Sequence, residues 1–289
     1  MNFKKIRLTS SFLLALILAG CHKPGNQHSV EQETDHVHGP ITIYSHGYMC
    51  NKEFARFFHN CLEKPNKINP NAFILGKMIA FNYGDYKNPF LCRLGQGDDI
   101  ERLHNACKDH ENVIIVGTSR GASTIINYLG TYKPTNILAA VLESPFDHAN
   151  NVANNLLSKF SIKDKEGLIN TVRPFLFRNY DPDGIQPIKV AADVSKDIPI
   201  LLICSKSDGL IPDSSTANLY KVLKDSGHPH VYLLTCKYGS HGRILWSKDG
   251  ALFKNVVHAF YKHHNLPHHE PWAQEGFEQF QQCLGWSEN

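Results

Sequence analysis

The chain has 289 residues, of which 42% are hydrophobic and 20% charged. That is apolar matter enough for one large α/β domain or two small ones, and it excludes a largely disordered chain. Lysine and arginine number 30 against 27 acidic residues, a formal net charge of +3. So slight an excess gives no electrostatic ground for binding nucleic acid or another polyanion.

The N-terminus stands apart from the rest. Lys4, Lys5 and Arg7 precede an apolar run over residues 12–19. The run is too short to cross a bilayer as a stable helix and has the pattern of a signal peptide over residues 1–20. Losing those residues would remove three positive charges and no negative one, taking the net charge from +3 to zero. The end of the run, Leu18-Ala19-Gly20-Cys21, resembles the lipobox of bacterial lipoproteins. The resemblance implies lipidation of Cys21 and membrane attachment in a bacterial cell envelope, where several acyl chains on one cysteine make a durable anchor. His22 is not the Asp that resembles a retention signal, which points towards the outer membrane. Residues 21–39 are polar and rich in histidine, without apolar periodicity, and read as a tether. His22, His28, His36 and His38 belong to that solvated linker rather than to a metal site.

The first strand is expected over residues 41–45, ending in His46-Gly47-Tyr48. The helix that follows has Asn51 as its cap and Phe54, Phe57, Phe58, Cys61 and Leu62 on one face. Residues 78–81 read as a strand leading to Gly84-Asp85-Tyr86. Asp98 and Asp99 open a helix with Ile100, Leu103, His104 and Cys107 at helical spacing, and His104 reads as a satisfied core histidine. Residues 113–116 are uniformly β-branched, which suits a strand covered on both faces. This strand runs straight into Gly117-Thr-Ser119-Arg-Gly121 and then a helix over 120–131. So sharp a reversal strains the central residue and brings strand and helix close enough to require small flanking residues.

A strand over 137–142 comes next, and then the rhythm breaks. Connections in α/β units usually take about 2–6 residues apart from their helix, whereas the span near 145–197 is far longer. It holds Phe146, Phe160, Phe175, Phe177 and Tyr180, and is expected to form a small helical cap over the sheet edge. A strand over 198–204 leads to Asp208. Ser214 or Ser215 caps the next helix, which runs to about Ser226 with Gly227 at its end. The last strand, 231–236, leads to Gly239-Ser240-His241-Gly242. A long helix over 244–261 and a final one near 271–284 complete the chain. Alternation of this kind predicts a mostly parallel sheet of about six strands with helices on both faces. Beyond Cys21 there are seven cysteines: Cys50, Cys61, Cys92, Cys107, Cys204, Cys236 and Cys283. Export would permit disulfides, with Cys50–Cys61 and Cys92–Cys107 as local candidates. Cys204 and Cys236 lie in apolar strands, where buried thiols are common. The connectivity stays open.

In a sheet of this type ligands bind beyond the carboxyl ends of the strands. His46-Gly47-Tyr48, Ser119, Asp208 and His241 all follow directly on strands. A serine hydroxyl is a poor nucleophile near neutral pH and needs an adjacent base, which His241 supplies if a carboxylate holds its ring in the right tautomer. Asp208 is placed for that role. Asp183 and Asp213 compete with it, although Asp213 follows Pro212 at a helix start and reads as a cap. The oxyanion needs two donors, and the backbone N–H groups of Arg120 and Tyr48 are the candidates. His46 reads as a structural residue of its loop, and Glu143 as either a neighbour of the site or a structural group. His263, His264, His268 and His269 form adjacent pairs that do not share a helix face, so they read as solvated surface rather than a metal site. This chemistry calls for no cofactor.

Together these stretches resemble the α/β-hydrolases, in the order nucleophile, acid, histidine. The resemblance is carried by His46-Gly47-Tyr48, Gly117-Thr-Ser-Arg-Gly121, Pro199-Ile-Leu-Leu-Ile-Cys-Ser-Lys-Ser-Asp208 with Leu210-Ile-Pro212, and Gly239-Ser-His241-Gly242, over residues 40–265. It implies an α/β-hydrolase fold over residues 40–289. It implies further a carboxylesterase-like serine hydrolase with Ser119 as nucleophile, His241 as base, Asp208 as acid and Tyr48 and Arg120 as oxyanion donors. The substrate would be a small-molecule or lipid-like ester, cleaved through an acyl-enzyme. A serine peptidase of the prolyl-oligopeptidase type and a non-catalytic hydrolase-fold binding protein are the alternatives. There are two departures from the family. Only residues 22–40 separate Cys21 from the first strand, so the family's first two strands have no counterpart. Arg120 replaces the commoner His, Met or Gln after the serine, which places a positive charge near the site.

Overall fold

Strands β1 (Ile41–Ser45), β2 (Met78–Ala80), β3 (Val113–Thr118), β4 (Ile137–Glu143), β5 (Ile200–Ser205) and β6 (Val231–Cys236) form one sheet. Their order is β2-β1-β3-β4-β5-β6, and every neighbouring pair is parallel. The computed structural model describes residues 39–48, 50–63, 78–85, 88, 91–152 and 179–284. The signal peptide, Cys21, the tether up to residue 38 and residues 153–178 of the expected cap lie outside them. Between the strands run helices α1 (Lys52–Glu63), α2 (Asp98–Cys107), α3 (Arg120–Tyr132), the short α4 (Pro187–Val190) and α5 (Asp213–Asp225), and after β6 come α6 (Gly250–His263) and α7 (Glu270–Leu284).

The strands read as continuous apolar runs because both faces are covered. Ile43, Ile115, Ala140 and Leu202 pack on one face with Leu103 of α2, Ile125 and Leu129 of α3, and Leu219 of α5. One residue along each strand, Tyr44, Ile114, Val141 and Leu201 point the other way, against Phe58 of α1, Phe253 and Phe260 of α6, and Phe280 of α7. Each such aliphatic or aromatic side chain contributes about 1.5–3 kcal/mol by leaving water, so the two layers hold the sheet rigid from both sides. Asn51 does start α1, its Oδ1 accepting the N–H groups of Glu53 and Phe54 at 3.1 Å each.

Several local expectations need correction. The helix read over 244–261 is two elements, a 3-10 turn at Ile244–Trp246 and then α6. The Ile244 N–H is drawn to the Glu143 carboxylate at 3.2 Å, and the chain restarts with Ser247 Oγ accepting the Asp249 N–H at 3.1 Å. Helix α5 begins at Asp213, with Pro212 rather than a serine before it. The Ser215 hydroxyl turns inward instead and donates to Asp147 at 2.5 Å.

Neither local cysteine pair forms a disulfide. Cys92 and Cys107 belong to different apolar clusters. Helix α1 carries Cys61 about 14 Å along its axis from the end next to Cys50, far beyond disulfide reach. Of the late histidines, His263 is exposed as expected, whereas His264, His268 and His269 are half-buried. His264 bonds the Tyr232 hydroxyl at 3.0 Å, and the ring centroid of His269 lies 4.3 Å from that of Trp272. His104 stacks on Tyr132 with centroids 4.4 Å apart, but it is half-buried rather than in the core and its Nδ1 has no hydrogen-bond partner.

Candidate active site

The site is built at the carboxyl edge, where β3 turns into α3. Ser119 sits at φ 56° and ψ −119°, a conformation few non-glycine residues adopt, and its N–H donates to the Glu143 carbonyl at 2.8 Å. The flanking glycines are required by space. A Cβ on Gly121 would collide with the Ser45 carbonyl, and one on Gly117 would sit 2.8 Å from the Ala122 nitrogen. One turn into α3, Ser123 Oγ donates to the Phe146 carbonyl at 3.1 Å and accepts its N–H at 2.9 Å. That pair ties the helix to the chain leaving β4.

The loops after β5 and β6 bring Asp208 and His241 to the serine. His241 Nε2 is 2.7 Å from Ser119 Oγ, and its Nδ1 is 2.8 Å from Asp208 Oδ2. With Asp208 ionised, Nδ1 carries the proton and Nε2 is left to accept the serine hydroxyl. The other Asp208 oxygen accepts the N–H groups of Leu210 and Ile211 at 2.8 and 2.9 Å. Burial pushes this carboxyl up. The hydrogen bond and charge of His241, with the two N–H groups, outweigh it and hold the group below the usual carboxylate range. His241 remains 18% exposed while Asp208 is 1% exposed, so the histidine alone faces solvent. Asp183 lies in an exposed turn, and the Asp213 carboxylate accepts the neighbouring Ser214 N–H. Neither touches the histidine.

A Cβ on Gly47 would lie 3.6 Å from Ser119 Cβ, so the loop after β1, which continues into Tyr48, runs past Ser119. The Arg120 N–H is the first of α3 and has no acceptor within the helix. His46 lies in the wall of this loop, buried, with Nδ1 on the Gly47 carbonyl. Burial lowers its pKa to about 4.

Beneath the triad runs a second polar chain. Tyr44 bonds the Thr118 hydroxyl at 2.7 Å, Thr118 donates to Glu143 at 3.0 Å, and Glu143 accepts the Ile244 N–H. Glu143 thus backs the site without contacting His241 through a hydrogen bond, and burial pushes its pKa up to about 7. The Arg120 side chain departs from expectation. Its guanidinium does not add free positive charge to the site, because it is buried and paired with Asp85 at 2.7 Å and with Asp99 at 2.5 Å. Sequence reasoning missed both partners, having read Asp85 as a loop residue and Asp99 as a helix opener. Among the described residues no group of three or more His, Cys, Asp or Glu is arranged to hold a metal ion.

No protein-family model matches the chain, and no curated protein sequence does. Solved structures do resemble it. An esterase of Pyrococcus furiosus superposes with a TM-score of 0.57 at 20% identity, over 78% of this chain and 82% of that one. A monoacylglycerol lipase of Paleococcus ferrophilus gives 0.52 at 16% identity, over 76% and 93%. An acylaminoacyl peptidase gives 0.52 at 19% identity, over 80% of this chain but 38% of its own. The six-stranded sheet with its flanking helices is the α/β-hydrolase fold. Esterase, lipase and peptidase all use that fold, so it does not choose among them.

Proposed function

We propose that the protein is a serine hydrolase that cleaves carboxylic esters through an acyl-enzyme. The observation that carries this reading is the unbroken hydrogen-bonded chain from Asp208 through His241 to Ser119, with links of 2.8 and 2.7 Å. Ser119 Oγ attacks the ester carbonyl carbon while its proton passes to His241 Nε2. The carbonyl electron pair moves onto oxygen, and the N–H groups of Arg120 and Tyr48 receive the oxyanion. Asp208 stabilises the imidazolium that forms. Collapse re-forms the carbonyl and breaks the C–O bond to the alcohol, which leaves with the proton from His241. Water then gives a proton to His241 and attacks the acyl carbon. The second collapse returns that proton to Ser119 and releases the carboxylic acid.

Support for an apolar acyl group comes from the surroundings. Phe146 after β4, Ile211 after β5, Tyr180, Cys92 and Leu94 form an apolar cluster against which Tyr48 packs. That cluster is buried behind Tyr48, and an apolar setting of this kind supports a small-molecule or lipid-like ester over a charged substrate. The cap over residues 145–197 and the anchor at Cys21 are part of the same proposal. The anchor is supported by the Leu18-Ala19-Gly20-Cys21 motif and implies the envelope of a bacterium. Globomycin-sensitive processing followed by membrane fractionation tests it.

A series of p-nitrophenyl esters of increasing acyl length, set against peptide amides, tests the reaction. The reading expects kcat/KM for esters to exceed that for amides. Amides cleaved as fast as esters would move the protein to the peptidases.

A further inference from the structure

Arg120 has two addresses. Its backbone N–H stands beside Ser119, while its guanidinium lies beneath the elbow with the side chain 2% exposed. There Nη1 and Nη2 donate to the two oxygens of Asp85 at 2.8 and 2.7 Å. Nε and Nη2 donate to the two oxygens of Asp99 at 2.9 and 2.5 Å. The Tyr83 ring covers the guanidinium, with Cζ 4.2 Å from the ring centroid. One cation and two carboxylates are therefore withdrawn from water. Well-packed apolar residues would fill that space at lower cost, so such a group is weak evidence for stability as its purpose.

What the cluster touches suggests another purpose. The Tyr83 hydroxyl bonds Ser45 Oγ, which in turn donates to the Gly121 carbonyl at 3.1 Å. Ser45 ends β1, two residues before Gly47 and three before Tyr48. Asp99 also accepts the Gly95 N–H at 2.7 Å, and Asn127 of α3 donates to the Gly95 carbonyl at 2.8 Å. Thr124 closes the circuit by donating to the Arg120 carbonyl at 2.8 Å. The end of β1, the loop after β2 and the first turns of α2 and α3 are thus bound to one guanidinium fork. Both peptides that flank Ser119 hang from that frame.

We propose that Arg120, held by Asp85 and Asp99, is the positioning residue of the oxyanion pocket, fixing the Arg120 and Tyr48 peptides relative to each other. The inference rests on the reading of Ser119 as nucleophile. It depends on the fork as much as on the charge, because two bidentate carboxylate pairs fix a plane and a direction that an ammonium does not. Arg120 acts here through the backbone and does not touch the substrate with its side chain.

The test compares wild type, Arg120→Lys and Asp85→Asn in the hydrolysis of p-nitrophenyl acetate, with active sites counted by a fluorophosphonate probe. Binding of an aryl trifluoromethyl ketone, which forms a tetrahedral adduct, is measured alongside, and thermal unfolding verifies the fold. Losing the geometry of a donor should lower kcat per titrated site on the order of 10²-fold in Arg120→Lys, with KM unchanged. Ketone affinity should fall by the same factor, and Asp85→Asn should show the same split to a smaller extent. A merely structural role would lower the unfolding temperature and the fraction of active sites while leaving kcat per site and ketone affinity at their wild-type values. That result in either folded variant overturns the inference alone. A wild-type protein that hydrolyses no ester and titrates no site overturns the reading of Ser119, and this inference with it.

Discussion

The backbone carbonyl of Glu143 accepts the Ser119 N–H at 2.8 Å, so the strained turn at Ser119 is fastened to the end of the neighbouring strand. The same residue holds the histidine loop, because its carboxylate accepts the Ile244 N–H at 3.2 Å. Glu143, at the end of β4, therefore ties the segment that carries Ser119 to the segment that follows His241, through its backbone and its side chain in turn.

That placement has a measurable cost. Burial raises the Glu143 carboxyl from its ordinary 4.5 to about 7. A carboxyl raised in this way favours the fold fully below pH 4.5 and loses that contribution as the pH climbs through 7. Glu143→Gln removes the titration. The difference in stability between wild type and variant should move in the variant's favour, by up to about 3 kcal/mol, between pH 5 and pH 8. Urea unfolding of both proteins at the two pH values measures it.

Histidines wholly or partly withdrawn from water act in the opposite sense. Burial lowers His46, His258 and His264 from 6.5 to about 4. His258 Nε2 faces the Leu62 carbonyl at 3.1 Å and its Nδ1 accepts the His269 N–H at 3.0 Å, which a second ring proton would oppose. These groups favour the fold above pH 6.5, and their contribution is lost as the pH falls through 4. Wild type should lose stability across that window, and His258→Gln should lose less of it. Circular dichroism during denaturant titrations at pH 7, 5.5 and 4.5 gives the comparison.

Asp208 binds His241 with one oxygen and the Leu210 and Ile211 N–H groups with the other. Asparagine keeps the size but lets the ring settle in the wrong tautomer. Asp208→Asn should fold normally and lose ester hydrolysis on the order of 10⁴-fold in kcat. Steady-state kinetics with a p-nitrophenyl ester reads the loss, and near-wild-type turnover would reassign the acid.

Gly121 has no room for a methyl group, since its Cβ would meet the Ser45 backbone rather than a side chain that could move. Gly121→Ala should destabilise the protein by about 1–3 kcal/mol or more and abolish activity together. Thermal unfolding and ester turnover on the same sample check both.

Much of this was legible before the structure. The strands over 41–45 and 231–236 fall on their expected residues, because an apolar run bounded by a loop signal is a local property. The elbow was legible for the same reason, since Gly117 and Gly121 mark a close approach in the sequence itself. The Arg120 cluster was not. Its carboxylates lie 35 and 21 residues away, and nothing in local periodicity couples Asp85 or Asp99 to an arginine in another element. The break before α6 was hidden likewise. Apolar spacing continues through Ile244 and Leu245, and the capture of the Ile244 N–H by Glu143 spans 101 residues.

The central claim is that Ser119 is a nucleophile activated by His241 at 2.7 Å. Labelling of the folded protein with a fluorophosphonate probe tests it most directly. The account predicts stoichiometric labelling of wild type, with the adduct on Ser119 and none in Ser119→Ala. Folded wild type that takes up no probe, or Ser119→Ala labelled as well as wild type, would contradict it.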